Sequence, residues 1–310
     1  MPHQAPTAWT GRQDGEETAA PERLARWHHR VQPWHGQAQG GVVLIGFAVD
    51  EGVRRNQGRT GAAGGPAALR QALANLSAPA TALWDAGDLH CEGIALEAAQ
   101  AELSATVLQV RAQGGLPLVM GGGHEVAWGT FGGLVSQGRT PGRLLVLNLD
   151  AHFDLRHAAA PNSGTPFAQI HHWCHSHGQP FAYTVLGISR FANTPALFDR
   201  AQATGTRWRL DEALQTPADW AQAQTDLAQD LQACDAVYLT ICLDVLSAAM
   251  APGVSAPAAL GVPLPFIEAV IEQVKASGKL IAADLAELNP IFDRDHQTAR
   301  VGARLLARCV

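Results

Sequence analysis

The sequence predicts an α/β fold in three layers, an α/β/α sandwich with a mainly parallel central sheet, and two observations predict it. Short apolar runs rich in β-branched residues recur along the chain, and stretches of helix-forming composition fill the gaps between them. Strands that are apolar at consecutive positions are buried on both faces, and strands that alternate with helices pair in parallel with the helices on either side. In chain order, GVVLIGFA at 41–48 reads as the first strand, and helices follow over 66–76 and 96–113. LPLVM at 116–120, RLLVLNL at 143–149, AYTVLGI at 182–188, AVYLTICL at 236–243 and KLIAADL at 279–285 read as further strands, each shorter than an ordinary helix. Ala, Leu, Gln and Glu dominate the helices over 217–233, 264–277 and 296–308, and Thr216-Pro217 is suited to open the first of these. Residues 1 to about 40 mix Pro, Gly, Gln and charges with Trp9, Trp27 and Trp34, and are expected to pack as an irregular arm over the domain. No repeat or linker divides 41–310, which reads as one domain.

Composition narrows the function. The chain has 310 residues, 47% apolar and 16% charged, with a net charge of −6, which suits one large α/β domain. A mildly acidic balance without a basic block argues against a nucleic-acid surface. No apolar run approaches the roughly 18 residues of a membrane span. Cys91, Cys174, Cys234, Cys242 and Cys309 are an odd number without a CxxC pair, so neither a disulfide framework nor a zinc finger is suggested, and a cytoplasmic location is expected. Small-molecule chemistry is favoured. The 13 histidines and the nearly lysine-free basic set, with only Lys275 and Lys279, stand out.

Ligands of open parallel α/β sheets sit beyond the carboxyl ends of the strands, and the unusual polar residues fall there. The run 116–120 ends in Gly121-Gly122-Gly123-His124-Glu125, 143–149 in Asp150-Ala-His152-Phe-Asp154, 236–243 in Cys242-Leu243-Asp244, and 279–285 leads into Asp284 and Glu287. Spacing of two in an extended segment puts Asp150, His152 and Asp154 on one side. With His124 and Asp244 they make a mixed carboxylate and imidazole set, the kind that holds a manganese, zinc or iron pair. GGGHE lacks the lysine of a phosphate-binding loop and the GxGxxG spacing, so its glycines are expected to let backbone approach closely while His124 points inward. The run His171-His172-Trp173-Cys174-His175-Ser176-His177 lacks a carboxylate and is expected on an exposed helix.

Together GGGHE, NLDAHFDLR, ICLDVLSAAMAPGVSAPA and DLAELNP resemble the ureohydrolase (arginase/agmatinase) family, from about 41 to 310. The resemblance implies a three-layer arginase-like fold and a centre of two Mn²⁺ per subunit that hydrolyses carbon–nitrogen bonds of guanidino compounds or amidines. NSGTPF, NQGRTGAAGGP and APGVSAPA look most like the member that converts N-formimino-L-glutamate to L-glutamate and formamide in histidine degradation. His124, Asp150, His152, Asp154 and Asp244 match family ligand positions, with Asp150 bridging. Glu287 matches the glutamate that accepts hydrogen bonds from the substrate nitrogens, and Asp154 is expected to carry the proton to the leaving group. The family's members are homo-oligomers, and the same is expected here.

This chain departs from the family pattern at three places. A bridging aspartate is expected two residues before Asp244, where Cys242 stands; it is a ligand in an altered pair that tolerates Zn²⁺ or Fe²⁺, or it lines the site, or one metal site is weakened. The shuttle histidine of some relatives is missing, and Ser163, Thr165 or His157 could order water instead. Arg156 stands where arginases carry an asparagine, suited to grip a substrate carboxylate and to repel the ammonium of agmatine, with Arg54 or Arg59 for a second carboxylate. Two rivals stand beside this expectation: a ureohydrolase acting on agmatine or another guanidino compound, and a catalytically weak metal-binding protein of the same fold.

Overall fold

Each apolar run expected as a strand is one. The computed structural model describes residues 9–13, 24–36, 40–91, 93, 95–135 and 137–310. Its elements in chain order are α1 (Trp27–Arg30), β1 (Val31–Pro33), β2 (Val42–Ala48), α2 (Glu51–Arg55), α3 (Gly65–Ala74), β3 (Leu83–His90), α4 (Leu96–Ala112), β4 (Leu116–Met120), α5 (Val126–Leu134) and β5 (Leu144–Leu149). They continue with α6 (Pro166–Ser176), β6 (Ala182–Ile188), α7 (Pro195–Ala203), β7 (Arg207–Leu210), α8 (Pro217–Ala233), β8 (Ala236–Cys242), α9 (Leu264–Ala276), β9 (Leu280–Ala286) and α10 (Gln297–Arg308). Thr216 opens α8 as expected: its hydroxyl accepts from the Asp219 N–H, the Asp219 carboxylate accepts from the Thr216 N–H, and Pro217 occupies the first turn.

The strands form one sheet in the order β1-β3-β2-β4-β9-β8-β5-β6-β7, and every pairing between these strands is parallel. Alternate side chains feed two cores. Val42 and Leu44 of β2, Leu145 and Leu147 of β5, and Val237 and Leu239 of β8 pack with Leu69 of α3, Ile267 of α9 and Leu305 of α10. Val43 and Ile45, Val146, and Tyr238 turn the other way, to Leu103 of α4, Phe131 of α5 and Phe167 of α6. Burial on both faces explains why these strands read as continuous apolar runs rather than alternating ones.

β3 is the interior strand that its sequence hides, because it carries Asp85 and Asp88. Arg70 of α3 is buried against both: Nε and Nη2 donate to the Asp85 carboxylate at 2.8 and 2.9 Å, and Nη1 donates to Asp88 at 2.6 Å. Trp9 Nε1 also donates to Asp85, at 2.9 Å. Much of the arm expected over 1–40 lies outside the described residues. The described part is more regular than expected: β1 extends the sheet by pairing with β3, and Trp27 is fully buried in the core.

Candidate metal centre

β4, β9, β8 and β5 are neighbours at the middle of the sheet, so the four strand ends singled out in the sequence open onto one place. His124 follows β4, Asp150, His152 and Asp154 follow β5, Cys242 ends β8 with Asp244 just beyond, and Glu287 follows β9. The glycines of GGGHE make the close approach possible. A Cβ on Gly122 would collide with the Val49 carbonyl, and the Gly122 carbonyl accepts from the Glu287 N–H at 2.8 Å. The His124 N–H in turn donates to Glu287 Oε1 at 2.9 Å, so the β4 and β9 ends lock one another. Asp154 and Glu287 both hold left-handed backbone, with φ of 47° and 71°. Non-glycine residues in that region carry strain that persists where the surrounding structure fixes them.

Asp150 divides its carboxylate between two groups of ligand atoms. Its Oδ2 lies 3.0 Å from His124 Nδ1, which is also 2.9 Å from Asp154 Oδ2. Its Oδ1 lies 3.5 Å from His152 Nδ1, which is 3.1 Å from Asp244 Oδ2. The Cys242 thiol joins the first group: the ligand atoms of His124, Asp150 and Cys242 lie within 4.8 Å of one another, as do those of Asp150, His152 and Asp244. Donor atoms about 2.1 Å from one ion and at right angles are about 3 Å apart, the spacing seen here. Although His124 Nδ1 is close to two carboxylates, neither oxygen is aligned for a hydrogen bond with it, and Asp244 Oδ1 and Glu287 Oε2 also lack partners. Most buried polar atoms in proteins are paired, and His124 Nδ1 and Asp244 Oδ1, one unpaired atom from each group of ligand residues, fit a pair of divalent cations. His124 Nε2 meets the Thr240 hydroxyl at 3.0 Å, which orients the ring with Nδ1 toward the carboxylates.

Electrostatics point the same way. Burial pushes the Glu287 carboxyl well above its ordinary range, and the nearby Glu125 and Asp244 charges add to this. Burial, with a contribution from the Asp50 charge, pushes Glu125 up to about 7. Burial and the charges of Asp150, Asp244 and Glu287 hold the Cys242 thiol well above its ordinary value. Against the cost of burial, His124 and His152 hold Asp150 below the usual carboxylate range. So many buried acidic groups around two imidazoles need added positive charge to ionise together, which a metal pair supplies. The centre forms the floor of a cavity of about 210 Å³ whose wall includes Asn56, Arg156, Ser163, Asn193 and Ser255.

The sequence model of the arginase family matches residues 40–310. The chain belongs to the arginase family. A Ralstonia nicotianae relative named formimidoylglutamase is 51% identical over 315 residues, covering 98% of this chain and 95% of its own. The crystal structure of formimidoylglutamase from Bacillus subtilis superposes with a TM-score of 0.81 at 21% identity, covering 96% of this chain and 94% of that one, a likeness of fold. A crystal structure of Trypanosoma cruzi formiminoglutamase with Mn²⁺ superposes with a TM-score of 0.75 at 25% identity, covering 88% of this chain and 94% of that one.

Within this arginase-family fold the other residues singled out in the sequence are placed unequally. Arg156 lines the cavity, and its exposed guanidinium has no hydrogen bond or ion pair among the described residues. Ser163 also lines it, its hydroxyl oxygen accepting from Asn56 Nδ2 at 3.1 Å. Thr165 turns away: its hydroxyl bonds Asn162 and Gln169 and shapes the loop. Arg54 is spent on Glu51, three residues earlier, at 2.6 Å, and lies outside the cavity wall. Arg59 stacks on Phe292 and donates to the Val254 and Ser255 carbonyls, so it holds the loop that carries Ser255 to the cavity without reaching into it. His157 lines a neighbouring pocket, and His172, His175 and His177 are exposed on α6 or at its end, as expected for that helix. Sequence reasoning missed Asn56, Asn193 and Thr240. Asn193 Nδ2 donates to the Ala151 and Ser189 carbonyls while its Oδ1 accepts from the Phe153 N–H, which holds the DAHFD loop in place.

Proposed function

We propose that the chain hydrolyses N-formimino-L-glutamate to L-glutamate and formamide, a step of histidine degradation, with two Mn²⁺ held by His124, Asp150, His152, Asp154, Cys242 and Asp244. The observation that carries this reading is the identity of one half, over nearly the full length of both chains, with a relative named formimidoylglutamase. The cavity supports it by its polarity, with carboxylates at the floor for a cationic amidine and Arg156 on the wall for a carboxylate.

When bound, a divalent pair lowers the pKa of water toward neutrality and provides the nucleophile. The protein's own groups then set the geometry. Glu287 Oε2, without a partner, accepts hydrogen bonds from the two substrate nitrogens, and its other oxygen is held by the His124 N–H. This fixes the formimino carbon over the floor of the cavity. Water oxygen bonds to that carbon, the bond from carbon to the glutamate nitrogen breaks, and the departing nitrogen takes a proton. Asp154 is suited to carry it: it lines the cavity, takes up the proton that the attacking water gives up and hands it to that nitrogen. Arg156 pairs with a substrate carboxylate and orients the leaving group. In this reading the enzyme is a cytoplasmic homo-oligomer; all five cysteines are unbridged, and no described helix is long and apolar enough to cross a membrane, which support the location.

The test is an activity screen of the chain reconstituted with Mn²⁺, Zn²⁺ or Fe²⁺ on N-formimino-L-glutamate, agmatine and arginine. Release of glutamate and formamide is expected. Activity confined to a guanidino compound, with urea as product, would overturn the assignment.

A further inference from the structure

Beside the metal cavity lies a second pocket of about 470 Å³, and the two share Asn56, Arg156 and Leu197 as a common wall. Their charges are opposite. The metal cavity is lined by Asp154, Asp244 and Glu287 with Arg156 as its one arginine, whereas the second pocket is lined by Arg55, Arg156, Arg200 and His157 and by no carboxylate. Arg55 is already committed to Glu51 and Glu97. Arg200 is not. It projects from α7, half-buried, and its Nη1 donates to the Leu155 carbonyl at 2.6 Å, on the residue just before Arg156. This anchor brings Arg200 to the same rim as Arg156, and neither guanidinium has a carboxylate partner among the described residues.

Two like charges gathered on one wall of a pocket repel each other unless an anion joins them, and a guanidinium with free N–H groups matches a carboxylate as a fork. We infer that Arg200, beside Arg156 with its own carboxylate, is the subsite for the second carboxylate of the substrate and sets a preference for dicarboxylate amidines. The inference rests on the function proposed above: an amidine carrying two carboxylates has one more anionic group than the single arginine of the metal cavity can pair with. The second carboxylate passes the shared wall and meets Arg200. Nothing in the sequence marks this residue, which lies 44 positions after Arg156 on a helix whose own composition is unremarked.

The experiment compares two substrates and three proteins. N-formimino-L-glutamate and N-formimino-L-glutamine differ only in the charge of the distal group, and both are assayed with wild type, Arg200→Met and Arg200→Lys loaded with Mn²⁺. Wild type is expected to prefer the glutamate compound in kcat/KM, and Arg200→Met to lose roughly ten- to hundredfold of that preference, mainly through a higher KM for the glutamate compound. Arg200→Lys, which keeps the charge without the fork, is expected to fall between. Metal content and thermal midpoint are measured alongside, and Arg200→Lys serves if Arg200→Met folds poorly. An equal loss on both substrates in the two variants, or no loss, would overturn the inference while leaving the proposed reaction standing. Failure of wild type to turn over the glutamate compound overturns both.

Discussion

Thr240 and His124 meet at 3.0 Å, hydroxyl to Nε2, on the edge of the imidazole away from the carboxylates. Thr240 is fully buried on β8, in register with Asp284 of β9, and its hydroxyl lies beside that carboxylate. A bonded Nε2 leaves Nδ1 as the nitrogen available to a cation, so the pair fixes both the tautomer and the aim of the ring. Thr240→Val removes the hydroxyl at nearly constant volume and is expected to weaken binding of one metal by roughly ten- to hundredfold, with Thr240→Ser close to wild type. A competitive chelator titration measures this. Equal affinity in Thr240→Val and wild type would remove the role.

Asp150 serves both groups of ligand atoms, one oxygen to each. Asp244 is near His152 alone of the two histidines. Their substitutions should therefore differ in kind: Asp244→Ala is expected to keep about one metal per chain, and Asp150→Ala close to none. Elemental analysis after dialysis decides between this and a centre in which either loss is equivalent. Two metals in the wild-type chain, with turnover, would also exclude the reading of a catalytically weak scaffold.

Much of this centre was legible in the sequence because its physics is local. Asp150, His152 and Asp154 are spaced by two at a strand end, and His124 follows glycines that only a close backbone approach requires. The failures are tertiary. β3 carries Asp85 and Asp88, which break the apolar signal, and their partner Arg70 comes from another element. α5 contains Gly129 and Gly133, poor helix formers, because a Cβ at either would strike Leu103 or Val107 of α4. Arg54 illustrates a misreading of the opposite kind: its i, i+3 partner Glu51 is visible in the sequence and already satisfies it. Asn193 and Arg200 reach the DAHFD loop and the residue after it only because α7 and the segment before it fold back over them, which no local pattern encodes.

The Arg70 cluster is a stability determinant apart from the chemistry. Replacing Arg70 with Met would leave Asp85 and Asp88 without their cation, with Asp85 fully buried. Breaking one side of a buried ion pair costs about 3–5 kcal/mol. Urea unfolding of Arg70→Met is expected to show a loss in that range, partly recovered when Asp85→Asn is added, since the second change removes the stranded charge. No recovery in the double variant would argue against an electrostatic origin.

Cys242 stands two residues before Asp244, where the resemblance leads to the expectation of an aspartate, and its sulfur lies among the ligand atoms of His124 and Asp150. It is buried beside Asp150 and His124, and its thiol is held in the neutral form unless a cation draws off the proton. Replacing bound metal by Co²⁺ should give a near-ultraviolet sulfur-to-cobalt charge-transfer band, absent in Cys242→Ser. Cys242→Asp replaces a soft donor by a hard one and is expected to shift preference from Zn²⁺ toward Mn²⁺. An unchanged cobalt spectrum in Cys242→Ser would show that the residue only lines the site.

Glu287 combines a strained backbone, an oxygen without a partner and a charge held among other acids. Such a group costs stability in the resting protein and is useful only when substrate nitrogens arrive. Glu287→Gln keeps the shape and an oxygen to accept from the His124 N–H, but it removes the charge that faces the amidine. Turnover is expected to fall by about 10²–10³, as when a preorganised electrostatic partner is removed. The thermal midpoint should stay level or rise, because burial and the neighbouring Glu125 and Asp244 no longer oppose a charge. Steady-state kinetics and thermal unfolding of the same preparation test the two signs together. A loss of activity with an equal loss of stability would instead make Glu287 a structural residue of the β9 end.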